Sequence, residues 1–261
     1  MHELITSKTN EKIKLAARVR DSAKARREEG LFFAEGARLC ADAAGSTPVK
    51  TLFYTEKAAE KYGETLAFLF EKSDEIYRVS GAAAERLSDT FSPQGIFCLC
   101  KTLDKFDNID IIYNTSRLIA LENIQDPANL GAVIRTAEAL GIGGAVLCGC
   151  CDIYNPKAQR AAMGSLLRLP LVTVDDLPQT VSALAAKGFL TLSSTPDAAA
   201  EDITKTELGD KTLCVIGNEG SGVTEATAKC CARRVRVPMG GRAESLNASM
   251  AAAILMWELM R

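Results

Sequence analysis

Two hydrophobic periods alternate along this chain. Residues 9–29 place Ile13, Ala16, Ala17 and Arg20 at helical spacing within a charged stretch, which predicts one helix. LFFAEG then predicts a strand entering a glycine turn, ARLCADAA a short helix, and VKTLFYT a strand by its β-branched and aromatic content. AAEKYGETLAFLFEK reads as helix, IYRVS as strand, GAAAERLSD as helix and GIFCLC as strand. Residues 101–116, KTLDKFDNIDIIYNTS, mix polarities with little period and predict a linker. Beyond it the alternation is clearer: strand RLIALE, helix NLGAVIRTAEALG, strand GAVLCG, helix KAQRAAMGSLLR. Four further strand-like runs follow (LVTV, FLTLSS, TLCVIG, RVRV), then a last helix, SLNASMAAAILMWELM. Strands alternating with helices predict α/β architecture, with a parallel sheet covered on both faces in the second half. The expected domains are 1–100 and 117–261.

Composition narrows the class. With 261 residues, 47% apolar and 25% charged, the chain has an ordinary globular balance and the length for a full core. No stretch reaches the ~20 apolar residues of a membrane span. The polar start MHELITSKTNEKIK is unlike a secretory signal, so a cytoplasmic protein is expected. Nine cysteines sit mostly in apolar runs without CxxC spacing, and His2 is the one histidine. They read as small buried hydrophobes rather than a metal or redox site, and a His-based catalytic triad is excluded.

The net charge of −2 hides an asymmetry. Lys8, Lys12, Lys14, Arg18, Arg20, Lys24, Arg26 and Arg27 face only Glu11 and Asp21, eight basic residues against two acidic. Arg233, Arg234, Arg236 and Arg242 form a second cluster. Such patches on an acidic chain point to a nucleic-acid contact or to a solvated helix face.

Three segments share one design: an apolar strand, a loop with Gly, Pro or Asn, then a helix. In open α/β sheets, ligands bind at the carboxyl ends of strands. In the first, Asn129 reads as N-cap of a helix whose buried stripe is Leu130, Val133, Ile134, Ala137 and Leu140. Arg135 lies off that stripe, where it would reach back over the Asn129 loop or pair with Glu138. The second, CVIGNEGSG, has three glycines for close backbone approach but neither a Walker lysine nor the dinucleotide fingerprint. Its Glu219 would repel phosphates and suits a cationic ligand or a hydrogen-bonding role. In the third, Ser245 reads as N-cap of an alanine-rich helix.

Together, DPANLGAVIRTAEALG, VIGNEGSGV and VPMGGRAESLNASMAAAI resemble the SpoU (TrmH-type) RNA 2′-O-ribose methyltransferases of the SPOUT superfamily. Residues 1–100, with FFAEGARLCADA and FSPQGI, are similar to the smaller L30e-like, ribosomal-protein-type RNA-binding domain of rRNA-modifying members. The resemblance implies a C-terminal SPOUT domain with a deep trefoil knot whose loops hold S-adenosylmethionine. It places Gly217, Val237 and Leu246 against the adenosine part through backbone groups. Asn218, Glu219, Gly220, Pro238 and Met239 would line the same pocket, with Thr195, Ser245 and Asn247. The polar set carried over to catalysis is Asn129, Arg135, Glu219, Ser245 and Asn247. RNA would be met by Arg135 and by Lys12, Lys14, Arg18 and Arg20. The resemblance further implies a homodimer whose partner completes the RNA site, and chemistry that needs no metal. Large-subunit rRNA is the expected substrate; tRNA, or a non-catalytic RNA-binding role on the same fold, are the alternatives.

In that family the counterpart of Arg135 is the proposed general base. Arginine stays protonated near neutral pH, so a grip on the target phosphate is the expected first role of Arg135.

Overall fold

The computed structural model describes residues 2–103 and 109–261. Its residues fall into two compact units: Met1–Leu103 with Tyr154–Leu167, and Asp104–Ile153 with Arg168–Arg261.

The first unit holds β1 (Glu3–Ile5), α1 (Glu11–Asp21), α2 (Ala23–Glu29), β2 (Leu31–Glu35), α3 (Ala37–Ala44) and β3 (Val49–Tyr54). It continues with α4 (Glu56–Lys61), α5 (Gly63–Lys72), β4 (Ser73–Val79), α6 (Gly81–Leu87) and β5 (Ile96–Lys101). The five strands form one mixed sheet in the order β1-β4-β3-β5-β2. Ile13, Ala16 and Val19 of α1 join Phe33, Phe53, Phe97 and Leu99 in its core.

The single helix expected over 9–29 is two helices. Ser22 adopts an extended conformation, ends α1, and its Oγ accepts the Ala25 N–H at the start of α2. Two arginines of the basic run then serve helix ends. Arg26 Nη1 donates to the carbonyls of Val19 (2.8 Å) and Arg20 (2.7 Å) in the last turn of α1. Arg20, 8% exposed, donates to the carbonyls of Arg86 (3.0 Å) and Ser88 (2.7 Å) at the end of α6. Both satisfy carbonyls that a helix C-terminus leaves without partners.

In the second unit lie α7 (Asp110–Tyr113), β6 (Arg117–Glu122), α8 (Pro127–Leu140) and β7 (Gly144–Cys148). The chain next forms α9 (Pro156–Ala162) and α10 (Ser165–Arg168), of which 156–167 belong to the first unit. It then resumes with β8 (Leu171–Thr173), α11 (Leu177–Ala186), β9 (Leu190–Ser194), β10 (Glu201–Asp202), β11 (Thr212–Ile216), α12 (Glu225–Cys230), β12 (Arg233–Arg236) and α13 (Ala248–Met260). Of the linker expected at 101–116, residues 104–108 lie outside the described residues.

All seven strands of the second sheet, ordered β10-β12-β9-β11-β6-β7-β8, pair in parallel. Leu118, Ala120, Val146, Leu213 and Val215 share one core with Leu177, Val181 and Leu184 of α11. Alternation sends Ile119, Leu121, Leu147 and Cys214 to the opposite face. There α13 packs on β6 and β11, and α8 packs on β7 and α13. Parallel pairing brings the carboxyl ends of β6, β9, β11 and β12 to one edge. Strand order reverses between β6 and β11, the position where such sheets open a crevice.

Candidate active site

Four loops leave that edge, and three of them are the segments singled out in the sequence. The loops after β9, β11 and β12 enclose a cavity of about 540 Å³, within the ~300–1,000 Å³ usual for small-molecule sites. Of the expected donor-binding residues, Thr195, Gly217, Asn218, Glu219, Gly220, Val237, Met239, Ser245 and Leu246 line it. Pro238 and Asn247 do not. Ile216, Val235 and Leu255 give the wall an apolar side, while Ser193, Glu244 and Glu225 give it a polar one. A wall of this mixed kind fits a ligand with an aromatic base, hydroxyls and a cationic centre. The turn after β11 must be tight: a Cβ on Gly217 would lie 2.1 Å from backbone atoms of Gly222 and Val223, so no other residue fits. Asn218 closes that turn, its Oδ1 accepting from Gly220 N (2.9 Å) and Ser221 N (3.1 Å), while its Nδ2 donates to Asn123 O (2.8 Å).

The first and third loops correct the expected caps. Helix α8 begins at Pro127, which is preorganised for a first helical position, and Asp126 caps it by accepting from Ala128 N (2.8 Å). Asn129 therefore sits inside the first turn, 8% exposed, with its amide free of capping. Similarly Asn247, not Ser245, caps α13: its Oδ1 accepts from Ser249 N (2.9 Å) and Met250 N (3.4 Å). Ser245 is an exposed wall residue of the cavity.

The two displaced asparagines meet. Asn247 Nδ2 donates to Asn129 Oδ1 (3.1 Å), and Asn129 Nδ2 donates to Glu219 Oε1 (3.1 Å). One directional chain, Asn247 to Asn129 to Glu219, thus joins all three segments. Burial pushes the Glu219 carboxyl up. Hydrogen bonds from the Asn129 amide and from the backbone N–H groups of Glu219, Asp126 and Gln125 outweigh it, leaving the group below its ordinary value. Glu219 is a carboxylate at neutral pH and ends the chain as a pure acceptor.

Arg135 is exposed, two turns along α8 from Asn129, and no ion pair or hydrogen bond holds it among the described residues. The alternative partner considered for it, Glu138, instead bonds Arg168 (2.7 Å). Six residues of helix separate Arg135 from Asn129, about 9 Å of rise.

The sequence reading missed Glu122. This buried carboxylate ends β6 and accepts from Thr224 N (2.8 Å), Thr224 Oγ1 (2.8 Å) and Thr227 Oγ1 (2.5 Å). It ties the exit of the Gly217–Gly222 loop to the start of α12. The available signal was a charge closing the otherwise apolar run RLIALE after Arg117.

The expected RNA-facing basic helix is largely spent on partners. Lys12 pairs with Glu75 (2.7 Å), Lys14 with Glu11 (2.8 Å) and Arg18 with Glu29. Arg20 is turned inward onto backbone carbonyls, as its place on the apolar stripe of α1 requires. In the second cluster, Arg233 pairs with Glu201 (3.6 Å) and Arg234 with Glu225 (3.2 Å). Burial raises the thiols of Cys150 to about 11 and of Cys151, Cys214 and Cys231 to about 12, so they remain protonated.

Residues 116–257 match the SpoU rRNA Methylase family, and residues 10–98 match the MRM3-like substrate binding domain. The chain belongs to the SpoU rRNA methylase family. The 23S rRNA (guanosine(2553)-2′-O)-methyltransferase RlmP of Bacillus subtilis (strain 168) is 30% identical over 98% of this chain and 98% of its own. Among solved structures similar to this SpoU chain, the AdoMet-bound rRNA methyltransferase from Sinorhizobium meliloti superposes with a TM-score of 0.86 at 25% identity, covering 98% of this chain and 97% of that one. AviRb from Streptomyces viridochromogenes, in complex with the cofactor AdoMet, gives 0.82 at 25% identity over 96% and 97%. The family resemblance carried by the three segments is thus borne out, and so is the α/β fold. Among the described residues of this SpoU protein, no helix is long and apolar enough to cross a membrane.

Proposed function

We propose that this protein is an S-adenosylmethionine-dependent methyltransferase acting on a ribose 2′-hydroxyl of large-subunit (23S-type) rRNA. The observation that carries this reading is the Asn247–Asn129–Glu219 chain, which ties three distant segments together beside a cavity that two of them line, at the switch point of a parallel sheet. The 2′-O-methyltransferases of 23S rRNA among the relatives support the substrate. The cytoplasm is the corresponding site of action. The family's deep trefoil knot belongs to the same reading, since the loops at 217–223 and 237–247 that build the cavity are the ones the resemblance implies in it.

S-adenosylmethionine, when bound, supplies a methyl group activated as a sulfonium. Thr195, Gly217, Asn218, Gly220, Val237, Met239, Ser245 and Leu246 are the residues that would hold it. Pro238 would shape the loop without forming the wall. Glu219 is a weak base at neutral pH, because its hydrogen bonds hold it ionised. Its work is to orient Asn129, not to take the hydroxyl proton. Asn129 and Asn247 fix the helix starts that the reacting hydroxyl must meet, so much of the rate comes from positioning. Arg135, unpaired and exposed, grips the phosphate of the target nucleotide with its planar fork. Its part in moving the proton is secondary or shared.

The test is an unmodified 23S rRNA transcript incubated with protein and S-adenosylmethionine, then digested to nucleosides. A 2′-O-methylated nucleoside is expected. A base-methylated product or none overturns the reading, and titration calorimetry with S-adenosylmethionine identifies a non-catalytic binder by the absence of heat. Arg135→Lys keeps the charge and loses the fork, and turnover is expected to fall about a hundredfold. Near-normal turnover would remove both the grip and the base role.

Dimerisation is part of the proposal. Helix α13 buries Ala252, Leu255, Met256 and Leu259, yet leaves Met250 60%, Ile254 38% and Trp257 59% exposed. These three repeat at helical spacing on one face, which a second copy of the chain would cover.

A further inference from the structure

The first unit contains a second cavity, of about 370 Å³, that the proposed chemistry does not use. It is bounded by the start of α3, the 88–95 loop and α9, with Arg38, Thr90, Ser92, Gln94, Gln159 and Arg160 among its walls. Its construction is specific. Glu35 fixes the loop by accepting from Ser88 Oγ (2.9 Å), Asp89 N (2.9 Å) and Thr90 Oγ1 (2.6 Å), and Arg160 holds Asp89 (2.6 Å). Gly36 has φ +98°, and a Cβ there would lie 3.1 Å from Gln94 Oε1, which accepts from Ala37 N at the helix start (2.7 Å).

Two features of this cavity, and one residue beside it in the 88–95 loop, are unspent. Gln159 is 2% exposed, and its Nε2 donates to the carbonyls of Phe33 and Tyr154, both at 2.8 Å. Two facing carbonyls fix which end of the amide is nitrogen, so the opposite atom, Oε1, is a buried acceptor without a partner. Such an orphan costs stability unless a donor arrives. Arg38 is exposed with no hydrogen bond or ion pair among the described residues. Phe91, between two wall residues, is fully exposed. A buried acceptor, a free planar cation and a bare aromatic ring are the parts that read unpaired nucleotides: an N–H on a base edge, a phosphate, and a base face.

We propose that this cavity takes one unpaired nucleotide of the RNA substrate, and that the RNA interface of the first unit lies here rather than on the basic face of α1. The nucleobase N–H meets Gln159 Oε1, Arg38 meets the backbone phosphate, and Phe91 stacks on the neighbouring base. The inference rests on the methyltransferase reading only for the RNA's identity.

The test is filter binding of the full-length protein to an unmodified transcript of the organism's own 23S rRNA, with methylation of the same transcript scored separately. The exposed side chains Arg38 and Phe91 are chosen because Gln159→Leu would also break two structural hydrogen bonds. Arg38→Ala/Phe91→Ala is expected to weaken binding about tenfold or more, while Lys57→Ala stays within twofold. Arg38→Ala alone is expected to lower the salt dependence, and Phe91→Ala alone to leave it unchanged. Binding of the double variant within twofold of wild type overturns the cavity, as does loss on Lys12→Ala/Lys14→Ala instead. A wild type that binds no transcript also overturns it. Weakened binding by the double variant beside a wild type that makes no 2′-O-methyl nucleoside would sink the methyltransferase reading and leave the cavity standing.

Discussion

Asn129 illustrates how a single side chain changes meaning with helix register. As an N-cap its amide would be used up locally; inside the first turn of α8 it spans two other segments. Asn129→Ala breaks both links and leaves the RNA-facing surface intact. Single-turnover kinetics are expected to show a roughly hundredfold fall in rate with RNA affinity within threefold, the order that a small misplacement costs. Asn247→Ala should behave alike and also lose its cap. Equal loss of rate and affinity would mean that the chain only maintains the fold.

Glu219 gives a pH prediction of fixed sign. Its folded value is below the unfolded one, so its contribution is fully present above the ordinary glutamate value near 4.5 and is lost as pH falls through the folded value. Wild type should therefore melt above Glu219→Gln at pH 7, and the gap should narrow progressively in melts run at pH values falling below about 4.5. Between pH 6 and 8 the gap should be constant. A gap that changes in that window would mean that the folded value is raised instead of lowered, and would overturn the assigned sign.

At the scale of elements, most of the chain was legible because its strands are apolar runs and its helices carry clear stripes. The failures share a cause. Ser22 splits 9–29 because its side chain caps the second helix, an outcome local spacing does not distinguish from an uninterrupted stripe. KAQRAAMGSLLR reads as one helix, but Met163 and Gly164 both take positive φ and break it. The membership of α9 in the first unit was invisible for a different reason. A stripe states that a face is buried, not which core buries it. The candidate site was legible through its glycines and motif order, whereas Glu122 was not, since its value lies in partners a hundred residues away. That network makes its own prediction. Thr227→Val leaves a buried carboxylate short of a donor and should cost about 1–3 kcal/mol in urea denaturation. S-adenosylmethionine affinity should fall with it, because Thr224 anchors the exit of the glycine turn. Unchanged affinity would detach α12 from the site.

For the whole molecule, the decisive surface is α13. A surface helix of a monomer would present a polar face to water. This one is apolar on both sides, and its outer stripe of Met250, Ile254 and Trp257 runs at spacings of four and three residues, as in helices that pack on helices. The inner face of the same helix packs on β6, β11 and α8, and Asn247 at its start belongs to the polar chain. A partner seated on the outer stripe would therefore brace the element that carries Asn247, which couples assembly to turnover. Trp257→Arg places a charge at the C-terminal end of that stripe without touching the inner face. In sedimentation equilibrium the wild type is expected as a dimer at micromolar concentration and the variant as a monomer. Its circular dichroism should be unchanged, and its methylation rate should fall at least tenfold. A monomeric wild type would refute the dimer, and a monomeric variant with full activity would show that each copy works alone.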